Sequence, residues 1–210
     1  DVFVPVAEQL GLVGELGELV LRRACRDLAV LRRGLVRDDL VVSVNTSPAQ
    51  LRRPGLAALV QDACADAGLD CDALVLEVTE TLIVGEGDDV LATLSELHDL
   101  GVVIVIDDFG TGYASLSILL RLPVDGVKLD KTLVAGAGTD GAARRQLGAV
   151  VDLVRSLGIE CIVAEGVETP EQQAALRELE VPMTQGWLYG RATSASSILT
   201  DLSSSTGWGR

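Results

Sequence analysis

A run of β-branched residues that ends on two aspartates constrains the fold of this chain most. Val102–Ile106 are all Val or Ile, and Asp107, Asp108, Phe109 and Gly110 follow directly. Such a run is typical of a strand buried on both faces, as in a parallel sheet. Two adjacent carboxylates at its end repel each other unless a cation is bound, and glycine allows the chain to turn sharply over them. The stretch predicts a metal-binding strand end in an α/β enzyme.

Composition limits the class of protein. With 210 residues, of which 48% are hydrophobic and 3% aromatic, the chain can form one domain with an aliphatic core. We expect this domain over residues 1–202 and a flexible tail over residues 203–210. The net charge of −14 argues against binding to a nucleic-acid polymer, although a local cation could still admit a small nucleotide.

Cysteine usage and hydropathy indicate a cytoplasmic protein. The four cysteines are scattered without a C-x-x-C pair, which favours reduced thiols. No apolar run approaches the ~20 residues of a membrane span, so any membrane tether is expected outside these residues. Because the chain begins at Asp1 rather than Met, it is expected to be an excerpt or a processed product.

Strand and helix patterns alternate along most of the chain, which predicts parallel β-α units. Six strands are expected near residues 40–44, 74–78, 102–106, 126–129, 159–164 and 185–188. Helices are expected near residues 4–12, 15–31, 56–67, 88–100, 113–121, 142–157, 170–179 and 196–202. The choice lies between a doubly wound sheet and a (β/α)8 barrel.

Polar residues at the strand ends favour the barrel. They are Asn45, Glu77, Asp107, Asp108, Lys128, Asp130, Glu165 and Gln185. In a TIM-like barrel these ends converge on one mouth, whereas a doubly wound sheet spreads them along a line. The fold predicted is therefore an α/β barrel with six of its eight strands present, and the missing pair is expected upstream of Asp1.

The acidic residues at these ends predict a metal site. Asn45, Glu77, Asp107, Asp108 and Glu165 form a set of oxygen ligands, which hard cations such as Mg²⁺, Mn²⁺ or Ca²⁺ prefer. Several carboxylates at one mouth can hold two metals about 3.5–4 Å apart, an arrangement suited to displacement at phosphorus. Any one acid taken alone would be interpreted as a solvated loop charge.

Three further residues have alternative interpretations. Lys128 lies in an otherwise apolar strand and could polarise a water or neutralise a phosphoryl group; otherwise it extends to solvent at the barrel rim. Glu168 could bind a metal through water or cap the helix near Pro170. Glu80 could accept hydrogen bonds from the backbone of the Gly110–Gly112 loop or face solvent.

These residues, in this order, resemble the EAL family of cyclic di-GMP phosphodiesterases from about Phe3 to Arg191. The matching blocks are Ser43-Val44-Asn45-Thr46-Ser47, Leu76-Glu77-Val78-Thr79-Glu80, Asp107-Asp108-Phe109-Gly110-Thr111-Gly112-Tyr113, Lys128-Leu129-Asp130, Ala164-Glu165-Gly166-Val167-Glu168-Thr169 and Gln185-Gly186-Trp187. The Glu-Ala-Leu motif that names the family, and supplies a metal ligand, lies upstream of the matching segment and is not in this sequence. Met183-Thr184 and Ala192 also depart from the family pattern, and Trp187 replaces a tyrosine.

The resemblance implies hydrolysis of cyclic di-GMP to linear pGpG in a two-metal EAL-type barrel that uses Mg²⁺ or Mn²⁺ and is inhibited by Ca²⁺. It implies that the metal ligands are Asn45, Glu77, Asp107, Asp108 and Glu165, and that the catalytic residues are Lys128, Glu165 and Glu168. Gln185, Asp130 and Glu80 would support the metals, the water or the substrate. The loop and helix after Asp108 would form a homodimer interface, and a sensor or cyclase-like domain would precede this one in a bacterial signalling protein.

Two other hypotheses remain open. A catalytically inactive EAL domain could act as a cyclic di-GMP receptor or as a protein-interaction module. A different barrel enzyme could use Lys128 for a Schiff base or as the base of an enolase-like reaction. Without the Glu-Ala-Leu segment, the 210 residues by themselves are expected to have weak or no activity.

Overall fold

The computed structural model describes residues 3–80, 88–111 and 120–204. The strands in this part of the chain are β1 (Val42–Asn45), β2 (Leu74–Thr79), β3 (Val103–Phe109), β4 (Gly126–Leu129), β5 (Cys161–Ala164) and β6 (Met183–Thr184). The helices are α1 (Phe3–Gln9), α2 (Val13–Leu35), α3 (Pro48–Leu51), α4 (Leu56–Ala67), α5 (Asp88–Asp99), α6 (Lys131–Ala135), α7 (Gly141–Ser156), α8 (Pro170–Glu178) and α9 (Ala195–Ser204). A 3-10 turn spans Cys71–Ala73.

The strands follow one another through one sheet in chain order, from β1 to β6. The pairs β3–β4, β4–β5 and β5–β6 are parallel. Helices lie between most successive strands, as expected for β-α units, because parallel neighbours need a crossover connection. The carboxyl ends of paired parallel strands therefore lie at the same edge of the sheet.

The chain divides into two compact units. The first contains Asp1–Leu76, Glu96–Val102 and Ala192–Arg210. Its core includes Leu21 of α2 and Val60 of α4, which are 4% and 0% exposed. In this unit the helix pair α2 and α4 buries an aliphatic stripe.

The second unit contains Glu77–Ser95 and Val103–Arg191. All four residues of β4 are buried, and Ile104, Val105 and Ile106 of β3 are buried in succession. Burial of successive residues means that both faces of these strands are covered, as the Val and Ile run predicts. The apolar strands thus hold the residues at their carboxyl ends on a rigid base.

Two expectations about elements were wrong. The last strand was placed at residues 185–188, but β6 is Met183–Thr184 and the chain turns at Gly186. A Cβ at Gly186 would lie 2.1 Å from the Val167 carbonyl oxygen, so the backbones are too close for a larger residue. The short helix α6 was not expected, because its five residues are too few to show a period.

Other expectations fall outside the described residues. Most of the helix expected over residues 113–121, which with the preceding loop was to form the homodimer interface, lies in the segment 112–119. Most of the expected tail lies in residues 205–210. None of the described helices has the length and apolar character needed to cross a membrane.

Candidate functional site

Lys128 lies at the centre of a group of carboxylates in the second unit. Its Nζ donates a hydrogen bond to Glu77 Oε2 at 2.8 Å, and it lies 2.6 Å from Glu165 Oε1 and 3.3 Å from Asp107 Oδ1. The side chain is 8% exposed, so the interpretation of a lysine that extends to solvent is wrong. Acids from β2, from β3 and from the residue after β5 therefore converge on one ammonium group.

Lys128 and Glu165 both have pKa values above their ordinary ones. Burial lowers the pKa of Lys128, but hydrogen bonds to Glu165 and Glu77 outweigh burial and hold that pKa above its ordinary value. Burial raises the pKa of Glu165. Repulsion from Asp107 and Glu77 also raises this pKa, and the attraction to Lys128, which lowers it, is too weak to reverse the shift. The two shifts therefore have different main causes, which are hydrogen bonds to carboxylates for Lys128 and burial for Glu165.

A β-bulge directs both aspartates to the same site. Successive residues of a regular strand point to opposite faces, which would separate Asp107 from Asp108. Here Ile106 pairs with Val127 and Phe109 pairs with Leu129, so Asp107 and Asp108 together oppose the single residue Lys128. The φ of Asp108 is +56°, a left-handed conformation that Asp adopts more readily than most residues. The extra residue breaks the alternation.

The bulge produces a candidate cation site. Asp107, Asp108 and Glu165 each offer a carboxylate oxygen, and these oxygens lie within 4.8 Å of one another. Ligands at 2.0–2.6 Å from a common Mg²⁺ or Ca²⁺ are separated by about this distance or less. Burial and the negative charges of Asp107 and Asp130 raise the pKa of Asp108, and a bound cation would offset this repulsion. The oxygen donors and their spacing fit a divalent ion.

Two predicted residues hold the backbone around the bulge. Glu80 Oε2 accepts a hydrogen bond from Gly110 N at 2.9 Å, the first of the two alternatives considered for this side chain. Asp130 accepts hydrogen bonds from the backbone and hydroxyl groups of Thr132 and so caps helix α6. Asp130 N donates to Phe109 O at 3.2 Å. These contacts fix the loops on either side of Lys128.

Glu168 follows Glu165 around a turn but does not cap the next helix. Thr169 occupies that position: its side chain accepts from Gln172 N, and Gln172 Oε1 accepts from Thr169 N. Of the two alternatives for Glu168, capping of the helix is therefore wrong, and a role towards a metal or water stays a prediction. Its backbone N donates to Gln172 Oε1 at 2.7 Å.

Gln172 is a residue that sequence reasoning missed. It is 8% exposed, and its Nε2 donates to Ala135 O at 3.3 Å, which connects the start of α8 to the end of α6. The signal was present, because Thr followed three residues later by Gln is a capping box. Gln172 thus positions the turn that carries Glu165 and Glu168.

Two predicted residues have no described contact with the carboxylate group. Gln185 directly follows β6, and its backbone N donates to Ala164 O at 2.8 Å, which places it beside Glu165 at the strand ends. Asn45 is an exposed residue that ends β1 in the first unit. The roles of both residues stay predictions.

Comparison with known proteins identifies the family to which this architecture belongs. The model of the EAL domain matches residues 1–192. The cyclic di-GMP phosphodiesterase NbdA of Pseudomonas aeruginosa is 40% identical over 94% of this chain and 25% of its own length. The chain spans only 24–31% of the length of the curated relatives that it matches.

Solved structures confirm the fold class. The phosphodiesterase MucR of P. aeruginosa, in complex with cyclic di-GMP, has a TM-score of 0.86 and 39% identity over 93% of this chain and 78% of its own. Klebsiella pneumoniae BlrP1 with manganese and cyclic di-GMP has a TM-score of 0.71 and 31% identity over 83% of this chain and 44% of its own. Both the expected α/β fold of the EAL barrel type and the expected family are thus confirmed, and this chain belongs to the EAL domain family.

Proposed function

We propose that the protein hydrolyses cyclic di-GMP to linear pGpG. The observation that carries this proposal is the position of Lys128, whose buried ammonium lies between Glu77, Asp107 and Glu165 beside the three-carboxylate cation site. A fixed cation next to a divalent metal site would stabilise the negative charge that develops when water attacks a phosphodiester. Similarity to NbdA and MucR supports this choice of substrate.

The reaction adds one water across one phosphodiester bond. The water oxygen forms a bond to phosphorus, the P–O3′ bond breaks, and the 3′ oxygen receives a proton, which leaves a 5′-phosphate. Lys128 stays protonated because its pKa is raised, so it donates hydrogen bonds and accepts no proton. It therefore orients the water or offsets negative charge on the phosphoryl oxygens.

The carboxylates divide the remaining work. Asp107, Asp108 and Glu165 would hold a divalent ion, with Glu77 as a further ligand and Gln185, Asp130 and Glu168 in support. When bound, Mg²⁺ or Mn²⁺ would supply Lewis-acid stabilisation of the phosphoryl group and lower the pKa of a water. Glu77, Asp107 and Glu165 also hold Lys128 in place, so each of them orients the donor as well as serving the ion.

The test is turnover by the whole protein. Purified protein with Mg²⁺ or Mn²⁺ should convert cyclic di-GMP to pGpG, measured by separating the two nucleotides chromatographically. Asp107→Asn should lower kcat by at least a hundredfold, because it removes charge from both the ion and Lys128. Asp152→Asn is the matched control: Asp152 is an exposed residue of α7, so the same substitution there should leave turnover within twofold of the parent protein.

One outcome would replace the proposal with the receptor hypothesis. If the protein binds cyclic di-GMP tightly but gives no pGpG with either metal, it is an inactive EAL domain that signals by binding. Trapping of a carbonyl substrate on Lys128 by borohydride would instead indicate a Schiff-base enzyme.

A further inference from the structure

An exposed tryptophan lies three residues after β6 and is paired with a cation. The side chain of Trp187 is 63% exposed, and Arg191 Cζ lies 4.8 Å from its ring centroid. This distance is within the range of a cation–π contact. The remaining exposed part of the indole is open to a ligand.

The backbone that carries Trp187 is held rigidly. Val167 N donates to Gln185 O, and Leu188 N donates to Val167 O, both at 3.0 Å. Gly186 lies between these contacts, and only glycine fits there, since an added Cβ would lie 2.1 Å from Val167 O. The turn from Gln185 to Leu188 is therefore bonded directly to the turn that follows Glu165.

A side-chain network holds the same turn from the other side. The hydroxyl groups of Tyr189 and Thr184 lie 2.6 Å apart, and Gln173 Nε2 donates to the Tyr189 hydroxyl at 3.0 Å. The backbone that carries the exposed Trp187 is thus held by several hydrogen bonds. Ordering of the indole on binding costs little conformational entropy, because a tryptophan side chain has only two χ angles.

The position of Trp187 suits a nucleotide whose phosphate lies at the carboxylate site. Gln185 and Glu165 follow the paired strands β6 and β5, about 5 Å apart. Trp187 is two residues further on, so its Cα lies at most about 7 Å from that of Gln185. In a nucleotide, a sugar separates the base from its phosphate by several ångströms, so the two sites can be reached by one ligand.

We propose that Trp187, backed by Arg191, is a stacking platform for a guanine base of the dinucleotide bound at the carboxylate site. This inference rests on the proposed function for the identity of the ligand. An indole face binds a purine by π-stacking, and sequence-tolerant stacking of this kind is common in proteins that bind nucleotides. Arg191 also adds a local positive charge for an anionic ligand in a chain whose net charge is −14.

Tryptophan fluorescence gives a direct test. The chain has two tryptophans, so Trp208→Phe leaves Trp187 as the single emitter. This variant of the full chain is titrated with cyclic di-GMP in Ca²⁺, which is expected to prevent turnover. Saturable quenching of the emission is expected, because a stacked guanine quenches an indole. Calorimetry under the same conditions gives the affinity independently.

Two substitutions separate stacking from general packing. Trp187→Leu keeps an apolar side chain but removes the π-face, and it should weaken binding about tenfold. Trp187→Phe keeps an aromatic face and should weaken binding about threefold or less. Circular dichroism of each variant should match that of the parent, because the exposed indole contributes little to the core.

The outcomes distinguish this inference from the proposed function. If the parent chain binds cyclic di-GMP and Trp187→Leu binds within twofold of it, without quenching in the single-tryptophan variant, the platform is wrong and the proposed function stands. If the parent chain does not bind cyclic di-GMP, the platform is wrong and the proposed ligand is contradicted for this chain.

Discussion

At the scale of single residues, Lys128 is a buried cation whose desolvation is unfavourable and whose contacts hold three carboxylates together. Its ammonium is surrounded by carboxylates that would repel one another without it. Removal of one partner from a buried ion pair is strongly destabilising, because the remaining charges stay desolvated. The stability of this region in the absence of metal therefore depends on Lys128.

Substitution of Lys128 tests this dependence. Lys128→Met should lower the free energy of unfolding by about 3 kcal/mol without divalent metal. This value lies at the lower end of the range for loss of one partner from a buried ion pair, because the Glu165 side chain is 21% exposed and can be hydrated. Urea unfolding measures the change, and Lys131→Met, at an exposed lysine, is the control. A loss of less than 1 kcal/mol would contradict the role given to Lys128.

Asp108 combines a ligand with an unusual backbone conformation. Asn tolerates a positive φ as Asp does, whereas Ala in this conformation costs roughly 1 kcal/mol. Asp108→Asn should therefore weaken Mn²⁺ binding at least tenfold, while the thermal stability without metal stays unchanged or rises slightly. Asp108→Ala should weaken Mn²⁺ binding and also lower the thermal stability. Calorimetric titration with Mn²⁺ and thermal unfolding separate the two effects. Equal stability of the two variants would contradict strain at this residue.

At the scale of elements, the strand ends and the turns after them build the site. The bulge in β3 brings two successive residues to one face, and the carboxylates of Glu80 and Asp130 accept hydrogen bonds from the backbone of the loops beside it. After β5 and β6, two turns bond to each other through Val167 and Gln185. Rigid strands with fixed turns position polar groups more accurately than free loops do.

The contact at Gly186 predicts a strong effect from one methyl group. Gly186→Ala places a Cβ 2.1 Å from Val167 O, so the turn must move away from the residues after Glu165. We expect a loss of roughly 2–4 kcal/mol in stability and more than tenfold weaker binding of cyclic di-GMP. Gly190→Ala is the matched control, because nothing lies within 4 Å of its Cβ position. Urea unfolding measures the stability of both variants, and calorimetry measures their affinity for cyclic di-GMP. Equal stability and affinity of the two variants would contradict the close contact between Gly186 and Val167.

At the scale of the whole molecule, the clustered negative charge couples metal binding to stability. An ion that binds the folded state alone stabilises it by RT ln(1 + [L]/Kd), which is about 2.7 kcal/mol at a hundredfold excess over Kd. Mn²⁺ or Mg²⁺ should therefore raise Tm by several degrees, and EDTA should reverse the change. KCl at equal ionic strength is the control for screening of the net charge of −14. An equal rise of Tm with KCl would show that screening alone is responsible.

Much of the site could be predicted because the buried strands appear in the sequence as apolar runs and the functional residues as charged positions within or after them. Glu77, Asp107, Lys128 and Glu165 interrupt or end apolar runs, and parallel strands that follow one another in a sheet bring such ends together. The bulge could not be predicted, because the sequence of β3 is equally compatible with a regular strand in which successive side chains point to opposite faces. Helix α6 and the position of β6 were missed because both elements are too short for a period to show.

The sequence by itself determined the order of the elements, the apolar strands and the identity of the charged residues at their ends. Periodicity and residue type encode these features locally. Only the tertiary structure decided which charges meet: that Lys128 pairs with three carboxylates, and that a left-handed Asp108 brings its oxygen near those of Asp107 and Glu165. These outcomes depend on register and on packing between residues far apart in the chain, which no local pattern specifies.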